Sequence, residues 1–280
     1  MPALTLDYRH CDRKRPRFIK HSEVEAIALM ARQQLVGMAV DALSLALLRD
    51  VSRLKINGVA FDLAVDTQNT VHDERGNPVL GICEYDPGVP DTAMVSVSPV
   101  CDGASEELVL STLAHEIGHA VFDSPGWIVD ASRGPGLFDA VDDCVRKVYR
   151  TTTRDGEHLA KTAASTDSGA PAPRGDEYFA ELRANEFMGS LLVPRQRLYA
   201  AVEELAPEND VKIVRGPSLD PDYPGAGLTL QTEGDFGFFY LETLKRAVAK
   251  RFNVTPRFAG VRMERYGLLK PGGPISWQIP

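Results

Sequence analysis

The sequence predicts an α+β fold that is mainly helical, with a small antiparallel sheet and a helical C-terminal region. Residues 106–122 and 177–192 place apolar side chains at helical spacing, and each stretch is followed by residues that do not easily continue a helix. Residues 55–99 instead contain short runs of β-branched or alternating residues separated by Gly, Pro, Asn and Asp, which is typical of about three strands. A chain of 280 residues is long enough for one large domain or for a domain with an appendage.

The predicted helices begin after a basic N-terminal segment, residues 1–21. Ser22 and Glu25 form a capping-box pattern, and the apolar spacing that follows up to residue 50 predicts two helices. The strands are expected in KINGVAFDLAVD, GNPVLGICEYD and TAMVSVSP, shortly before the apolar helix 106–122. We therefore place the main domain at residues 22–204.

The main domain contains a long insertion at about residues 124–175, rich in Gly, Ser, Thr, Ala and Pro. One short helix is predicted within it, around LFDAVDDCVRKVY. Residues 205–280 form a separate C-terminal region, which begins with a loop-rich stretch and continues with two predicted helices on either side of NVTP.

The C-terminal region differs from the rest of the chain in charge. Residues 240–270 contain eight Lys or Arg against two Glu, so the segment carries +6 while the whole chain carries −8. The net negative charge argues against nucleic-acid binding over the whole surface. The two helices about NVTP nevertheless have the outline of a helix-turn-helix. Residues 240–270 are therefore interpreted either as a solvated helical surface or as a DNA contact.

Cysteine usage and hydropathy favour the cytoplasm. The four cysteines are scattered and form no C-x-x-C pair, as expected of free thiols in a reducing compartment. No apolar run is long enough to span a bilayer, and the basic N-terminus lacks the apolar core of a secretory signal. We expect a cytoplasmic protein without membrane contact.

The stretch STLAHEIGHAVF, residues 111–122, carries the strongest chemical signal. On an α-helix His115 and His119 project from one face, so both imidazoles can bind a single metal ion. Glu116 then lies beside that ion, where its carboxylate can take a proton from a water activated by the metal and return it to a leaving amine. The pattern predicts a metal site in which Glu116 is the catalytic general base.

A catalytic zinc site needs a third protein ligand, since three ligands and one open position are typical. The helix EYFAELRANEFMGSLL supplies candidates, because Glu177, Glu181 and Asn185 lie four residues apart on one of its faces. From the residues alone, the third ligand stays open among Glu177, Glu181 and Glu186.

Together the two helices resemble the ImmA/IrrE family of metallo-endopeptidases. In that family an AHE-x-GH helix is followed by an E-x-x-AN-x-F helix that ends in LL-x-P, and both patterns occur here in that order. The resemblance implies a zinc site, with Mn²⁺ as the alternative metal, in which Glu181 joins His115 and His119 as a ligand. It also implies that Asn185 orients one of the imidazoles. The 62 residues from His119 to Glu181 are long for the family because of the insertion.

Two functions are therefore predicted. In the first, a mainly helical metallopeptidase domain cleaves a protein partner, which the resemblance implies is often a transcriptional repressor; a repressor encoded nearby is the candidate. Its candidate oxyanion donors are Tyr149, Tyr178 and Arg262. In the second, the chain is a DNA-associated regulatory protein whose basic helical C-terminal region contacts DNA and whose metal site is not catalytic. A structural zinc site normally has four ligands and no use for Glu116, which favours the endopeptidase.

Overall fold

The computed structural model describes residues 3–37, 39–73, 75–100, 105–133, 147–151, 175–220, 222–234 and 236–269. These residues divide into two compact units, which are described separately. The first comprises the described residues of 3–151 together with 175–192, and the second comprises those from 193 onwards. The division falls at residue 192 and not at the expected 204, so the helix that follows Pro194 belongs to the second unit.

The first unit contains helices before, between and after its strands. They are α1 (His21–Val36), α2 (Leu45–Arg49), α3 (Glu106–Phe122), α4 (Ser124–Ser132) and α5 (Asp176–Leu192). The Ser105 side chain caps α3 by accepting the Leu108 N–H. Two acids, Glu106 and Glu107, follow in the first turn, where the helix dipole favours negative charge. α3 ends before Asp123, as predicted.

α1 begins earlier than the Ser22 and Glu25 pattern predicts. Lys20 is its N-cap, and the Glu23 carboxylate accepts the Lys20 backbone N–H at 2.8 Å. Glu25 is buried and does not take that role. The Glu half of the predicted capping box is present, two residues earlier than predicted, whereas Lys20 has no side-chain acceptor to supply the other half.

The strands of the first unit are β1 (Ala3–Leu6), β2 (Arg53–Ile56), β3 (Val59–Asp66), β4 (Val71–His72), β5 (Pro78–Val79), β6 (Gly81–Tyr85), β7 (Thr92–Val97) and β8 (Lys147–Thr151). Six of them form one sheet in the order β1-β2-β3-β7-β6-β8, and β4 pairs with β5. The pairs β2–β3, β6–β7 and β6–β8 are antiparallel, whereas β1–β2 and β3–β7 are parallel. Asn57 and Gly58 join β2 to β3 with positive φ at both residues, as a tight hairpin requires.

The α+β class is confirmed, but the sheet is larger than expected and mixed in direction. It recruits β1 from the N-terminal segment, where Leu4 and Leu6 are buried, and β8 from the insertion. The helix predicted around LFDAVDDCVRKVY is wrong at its end, since residues 147–149 belong to β8; residues 137–146 lie outside the described part of the chain.

α3 is the central element of the first unit. It packs against α5 and against β6 and β7, and α5 also packs against α1. Every residue of α3 from Val109 to Phe122 is buried. Burial of each large apolar side chain contributes about 1.5–3 kcal/mol to the free energy of folding. Packing therefore fixes the position of this helix and of the polar residues on it.

The second unit contains α6 (Arg195–Glu208), β9 (Lys212–Pro217), β10 (Ala226–Gln231), α7 (Gly237–Phe252) and α8 (Pro256–Arg265). β9 and β10 form an antiparallel pair within the stretch that was expected to be mainly loop. The break at NVTP is confirmed: Asn253 adopts a left-handed conformation after α7, and the Thr255 side chain caps α8. In the described part of the chain, no helix combines the length and the apolar character that crossing a membrane requires.

Candidate metal centre

His115, Glu116 and His119 lie on the most deeply buried part of α3. The first two have no exposed surface, and His119 is 1% exposed. Their spacing brings the Nε2 atoms of the two imidazoles to 3.1 Å from each other. Two nitrogen lone pairs can therefore be directed at one point, as the H-E-x-x-H pattern predicts.

α5 brings a carboxylate to the same point. Glu181 Oε2 lies 3.4 Å from His115 Nε2, and Glu181 Oε1 lies 3.2 Å from His119 Nε2. One donor atom from each of the three side chains can be chosen so that all lie within 4.8 Å of one another. The Glu181 side chain is one-third exposed, so it forms the outer side of an otherwise buried cluster.

The other two acids considered as ligands lie elsewhere. Glu177 is exposed at the start of α5. Glu186 is buried, with the His21 ring 3.4 Å away and the Ser190 hydroxyl donating to it at 2.9 Å. Glu186 lies five positions after Glu181, which places the two on different faces of the helix. Among the described residues, the cluster therefore consists of His115, His119 and Glu181.

Glu181 and His119 shift each other's pKa. Burial raises the pKa of Glu181, but its contacts with His115 and His119 outweigh burial and hold that pKa well below its usual range. Burial lowers the pKa of His119, but hydrogen bonds with Asp123 and Glu181 outweigh burial and raise it to about 10. The surroundings of His119 thus favour a positive charge, whether a proton or a metal ion carries it.

Two residues behind His119 were missed by the sequence analysis. Asp123, the residue that follows α3, places Oδ2 3.1 Å from His119 Nδ1. Its Oδ1 accepts a hydrogen bond from Arg183 Nη2 at 3.0 Å. The available signal was the spacing of four residues between His119 and Asp123, which puts an acid on the imidazole's side of the helix.

Asn185, which the resemblance implies as the support of an imidazole, has no such contact here. Its Oδ1 is buried without a hydrogen-bond partner among the described residues, and the same holds for His115 Nδ1. The imidazole that does have a hydrogen-bonded carboxylate behind it is His119, through Asp123. A role for Asn185 stays a prediction.

Glu116 is enclosed by β6 and β8. Its Oε1 accepts the Thr151 hydroxyl at 2.6 Å. A Cβ atom at Gly81 would lie 2.8 Å from the same oxygen, so glycine leaves the space that the carboxylate fills. Glu116 Oε2 is buried and has no hydrogen-bond partner in the described part of the chain. Burial raises the pKa of Glu116 despite the opposing effects of His115, His119 and the Thr151 hydroxyl.

β8 also places an aromatic ring on a candidate ligand. Tyr149 stacks on His119 with ring centroids 4.4 Å apart, and Trp127 of α4 stacks on Tyr149 at 5.4 Å. Burial, reinforced by the nearby Asp123 charge, raises the pKa of Tyr149 well above its usual value, so the phenol stays a hydrogen-bond donor.

The two other oxyanion candidates have different surroundings. Tyr178 is exposed on α5, with its ring against Phe179. Arg262 belongs to the second unit, where it is buried and donates to the Tyr266 hydroxyl. Tyr149 contacts a candidate metal ligand, His119, by ring stacking.

Several cations of residues 240–270 are engaged within the second unit. Lys245 pairs with Glu242 at 2.7 Å, Arg251 with Glu204 at 2.5 Å and Arg265 with Asp222 at 2.7 Å. On α8, the second helix of the predicted helix-turn-helix, Pro256 and Arg257 are the exposed residues. Lys270 lies outside the described residues. Arg246 and Lys250 of the same segment are exposed, and a DNA contact through residues 240–270 stays a prediction.

Comparison with known proteins adds no relative. No family model matches the chain, and no curated protein or solved structure does. The resemblance to ImmA/IrrE peptidases accordingly rests on the residues of the two helices, and the function has to be inferred from the geometry of the site.

Proposed function

We propose that this protein is a zinc-dependent endopeptidase that hydrolyses a peptide bond in a protein partner. The observation that carries the proposal is the convergence of His115, His119 and Glu181 beside the buried carboxylate of Glu116. Three donors accompanied by a potential proton carrier suit a catalytic metal, whereas a structural zinc is normally enclosed by four ligands.

The chemistry of the donors supports zinc. Zinc binds imidazole nitrogen and carboxylate oxygen in tetrahedral geometry. The two imidazole Nε2 atoms lie 3.1 Å apart, and Glu181 approaches them through different oxygens, Oε1 at 3.2 Å from His119 and Oε2 at 3.4 Å from His115. With one donor atom from each side chain, the donors lie within 4.8 Å of one another. The two imidazole donors favour zinc over Mn²⁺, which prefers oxygen. Zinc is therefore the proposed metal, with Mn²⁺ as the alternative.

Glu116 is proposed as general base and then general acid. Bound zinc would lower the pKa of a coordinated water and polarise the carbonyl of the substrate. Glu116 Oε1 is held by Thr151, so Oε2, which has no hydrogen-bond partner among the described residues, is the atom available to accept a proton from the attacking water. Since burial raises the pKa of this carboxyl, it can keep the proton until the amine leaves.

Access of the substrate depends on β8. Tyr149 lies on His119, and Thr151 lies on Glu116, which has no exposed surface. We propose that the Tyr149 ring moves off His119 when a peptide carbonyl approaches, while Thr151 keeps its hydrogen bond to Glu116 Oε1. After that movement the Tyr149 hydroxyl is the proposed oxyanion donor.

The proposed substrate follows from the resemblance of the two helices. That resemblance implies a protein substrate, and a transcriptional repressor encoded nearby, in the same cytoplasm, is the first candidate. The alternative is a DNA-associated regulator. Since Lys245, Arg251 and Arg265 are paired with acids, it would have to contact DNA through exposed cations such as Arg246 and Lys250.

The decisive variant is Glu116→Gln, which keeps the shape of the side chain but cannot carry the proton. The purified zinc-loaded protein is incubated with a proteome-derived peptide library, and new N-termini are identified by mass spectrometry. We expect wild-type protein to cleave and Glu116→Gln to bind zinc equally well without cleaving. Glu106→Gln, an exposed residue of the same helix, is the control and should keep full activity. Equal cleavage by wild type and Glu116→Gln would remove the role assigned to Glu116.

A further inference from the structure

A chain of polar contacts passes through His119, and both of its end residues, Glu181 and Arg183, belong to α5. Glu181 of α5 lies 3.2 Å from His119 Nε2, and Asp123 lies 3.1 Å from the opposite nitrogen, Nδ1. Arg183, again on α5, donates to Asp123 at 3.0 Å. One helix thus reaches both sides of a single imidazole, directly through Glu181 and indirectly through Arg183.

We propose that Asp123 and Arg183 are positioning residues that hold His119 in its metal-binding orientation. Through Arg183, that orientation depends on the position of α5 relative to α3. The inference rests on the metal site of the proposed function. It concerns binding of the metal and does not depend on the identity of the substrate.

Asp123 determines which ring nitrogen of His119 carries the hydrogen and which one can bind a metal. An acceptor at Nδ1 favours the tautomer with hydrogen on that atom, which leaves the lone pair of Nε2 free for the metal. It also restrains rotation of the ring, so that Nε2 stays within reach of Glu181. A neutral apolar residue at position 123 would leave the ring without either restraint.

Arg183 compensates the negative charge of the buried Asp123 carboxylate. The Asp123 side chain is 8% exposed, and a carboxylate so placed needs a charged or hydrogen-bonding partner. Arg183 takes Oδ1, which leaves Oδ2 to face His119. Because Arg183 is two residues from Glu181 on the same rigid helix, a shift of α5 would disturb both sides of the imidazole together.

The test compares zinc binding by wild type, Arg183→Met, Asp123→Ala and the double variant. Zinc dissociation constants are measured by chelator competition, and Co²⁺ is used as a spectroscopic probe of ligand geometry. Each single variant is expected to bind zinc about 10–100-fold more weakly, with an altered Co²⁺ absorption spectrum. The double variant should bind no more weakly than Asp123→Ala alone, since Arg183 acts only through Asp123. A general loss of packing would weaken zinc binding without altering the Co²⁺ spectrum of the protein that still binds.

The exposed pair Arg53 and Asp62 of the same unit provides the matched control. Arg53→Met and Asp62→Ala should leave both the zinc affinity and the Co²⁺ spectrum unchanged. If Arg183→Met does not fold, as judged by circular dichroism, Arg183→Lys replaces it; that variant keeps a charged donor and should bind zinc within a few-fold of wild type.

Three results would overturn the inference: wild-type affinity and spectrum in Arg183→Met, additive losses in the double variant, or a folded Arg183→Lys that binds as weakly as Asp123→Ala. Wild-type protein that binds zinc but cleaves no peptide would contradict the proposed peptidase and leave the positioning pair standing. Wild-type protein that binds no zinc would contradict both.

Discussion

Gly118 lies so close to the backbone of Ala184 that a Cβ atom on it would be 3.0 Å from the Ala184 Cα and 3.2 Å from its carbonyl oxygen. These two residues mark the close approach of α3 and α5. Each is three residues past a candidate metal ligand, His115 on α3 and Glu181 on α5. The glycine of HEIGH therefore sets the separation across which Glu181 reaches the imidazoles.

Gly118→Ala should weaken both the fold and the metal site. The obstacle is main chain, which cannot rotate away, so α5 has to move by several tenths of an ångström. We expect a loss of about 1–3 kcal/mol in the free energy of unfolding and a clearly weaker zinc affinity, measured by urea unfolding and chelator competition. Gly260→Ala is the control, because its Cβ would meet only the flexible Lys245 side chain at 3.4 Å. Equal behaviour of the two variants would contradict the close-approach argument.

Zinc affinity should rise with pH. Burial lowers the pKa of His119, but hydrogen bonds with Asp123 and Glu181 outweigh it and raise that pKa to about 10, so the metal-free imidazole holds a proton at neutral pH. Zinc has to displace this proton, and the dissociation constant should therefore fall about tenfold for each unit of pH below that value. Titration calorimetry between pH 6.5 and 8, in buffers of different ionisation enthalpy, should detect a released proton. A dissociation constant independent of pH would show that His119 is neutral before zinc binds.

Among the acids of α5, replacement of Glu181 should be the one that removes the metal. Glu181→Ala is expected to lower zinc stoichiometry well below one per chain by elemental analysis, because two imidazoles alone hold zinc weakly. Glu177→Ala should bind normally. Glu186→Ala should keep its zinc but lose stability, since it removes the buried partner of Ser190. Full zinc content in Glu181→Ala would return the choice of ligand to Glu177.

The sequence alone predicted the parts of the site that depend on the spacing of residues along a single helix. His115, Glu116 and His119 follow from helical spacing, and the register of α5 placed Glu181 on a candidate face. What the residues alone left open was the choice among Glu177, Glu181 and Glu186, because that choice depends on how closely two helices approach. The approach is set by Gly118 against Ala184, a contact between positions 66 residues apart.

The contributions of β8 could not be anticipated, for a related reason. Lys147–Thr151 is a short edge strand whose formation depends on pairing with β6, more than 60 residues earlier in the chain. Local pattern favoured a helix there because LFDAVDDCVRKVY spaces its apolar residues suitably. Tyr149 had been named as an oxyanion candidate, but its stacking on His119 and the Thr151 hydrogen bond to Glu116 are products of tertiary structure.

That hydrogen bond gives a further test of Glu116 as the general base. Burial raises the pKa of Glu116, and the Thr151 hydroxyl, by donating to the ionised carboxylate, opposes this rise. Thr151→Val keeps the β-branched shape but removes the donor, so the pKa should rise further. Because a base must be ionised to act, the acid limb of the kcat/KM profile should move to higher pH, with a loss of activity at low pH that recovers as pH increases. Zinc affinity should stay unchanged, since Thr151 is not a ligand.

Thr112→Val, which loses only a hydroxyl bond to the Leu108 carbonyl of its own helix, should keep the wild-type profile. A uniform loss of activity at every pH in Thr151→Val would mean that the hydroxyl serves the position of β8 and not the proton affinity of Glu116.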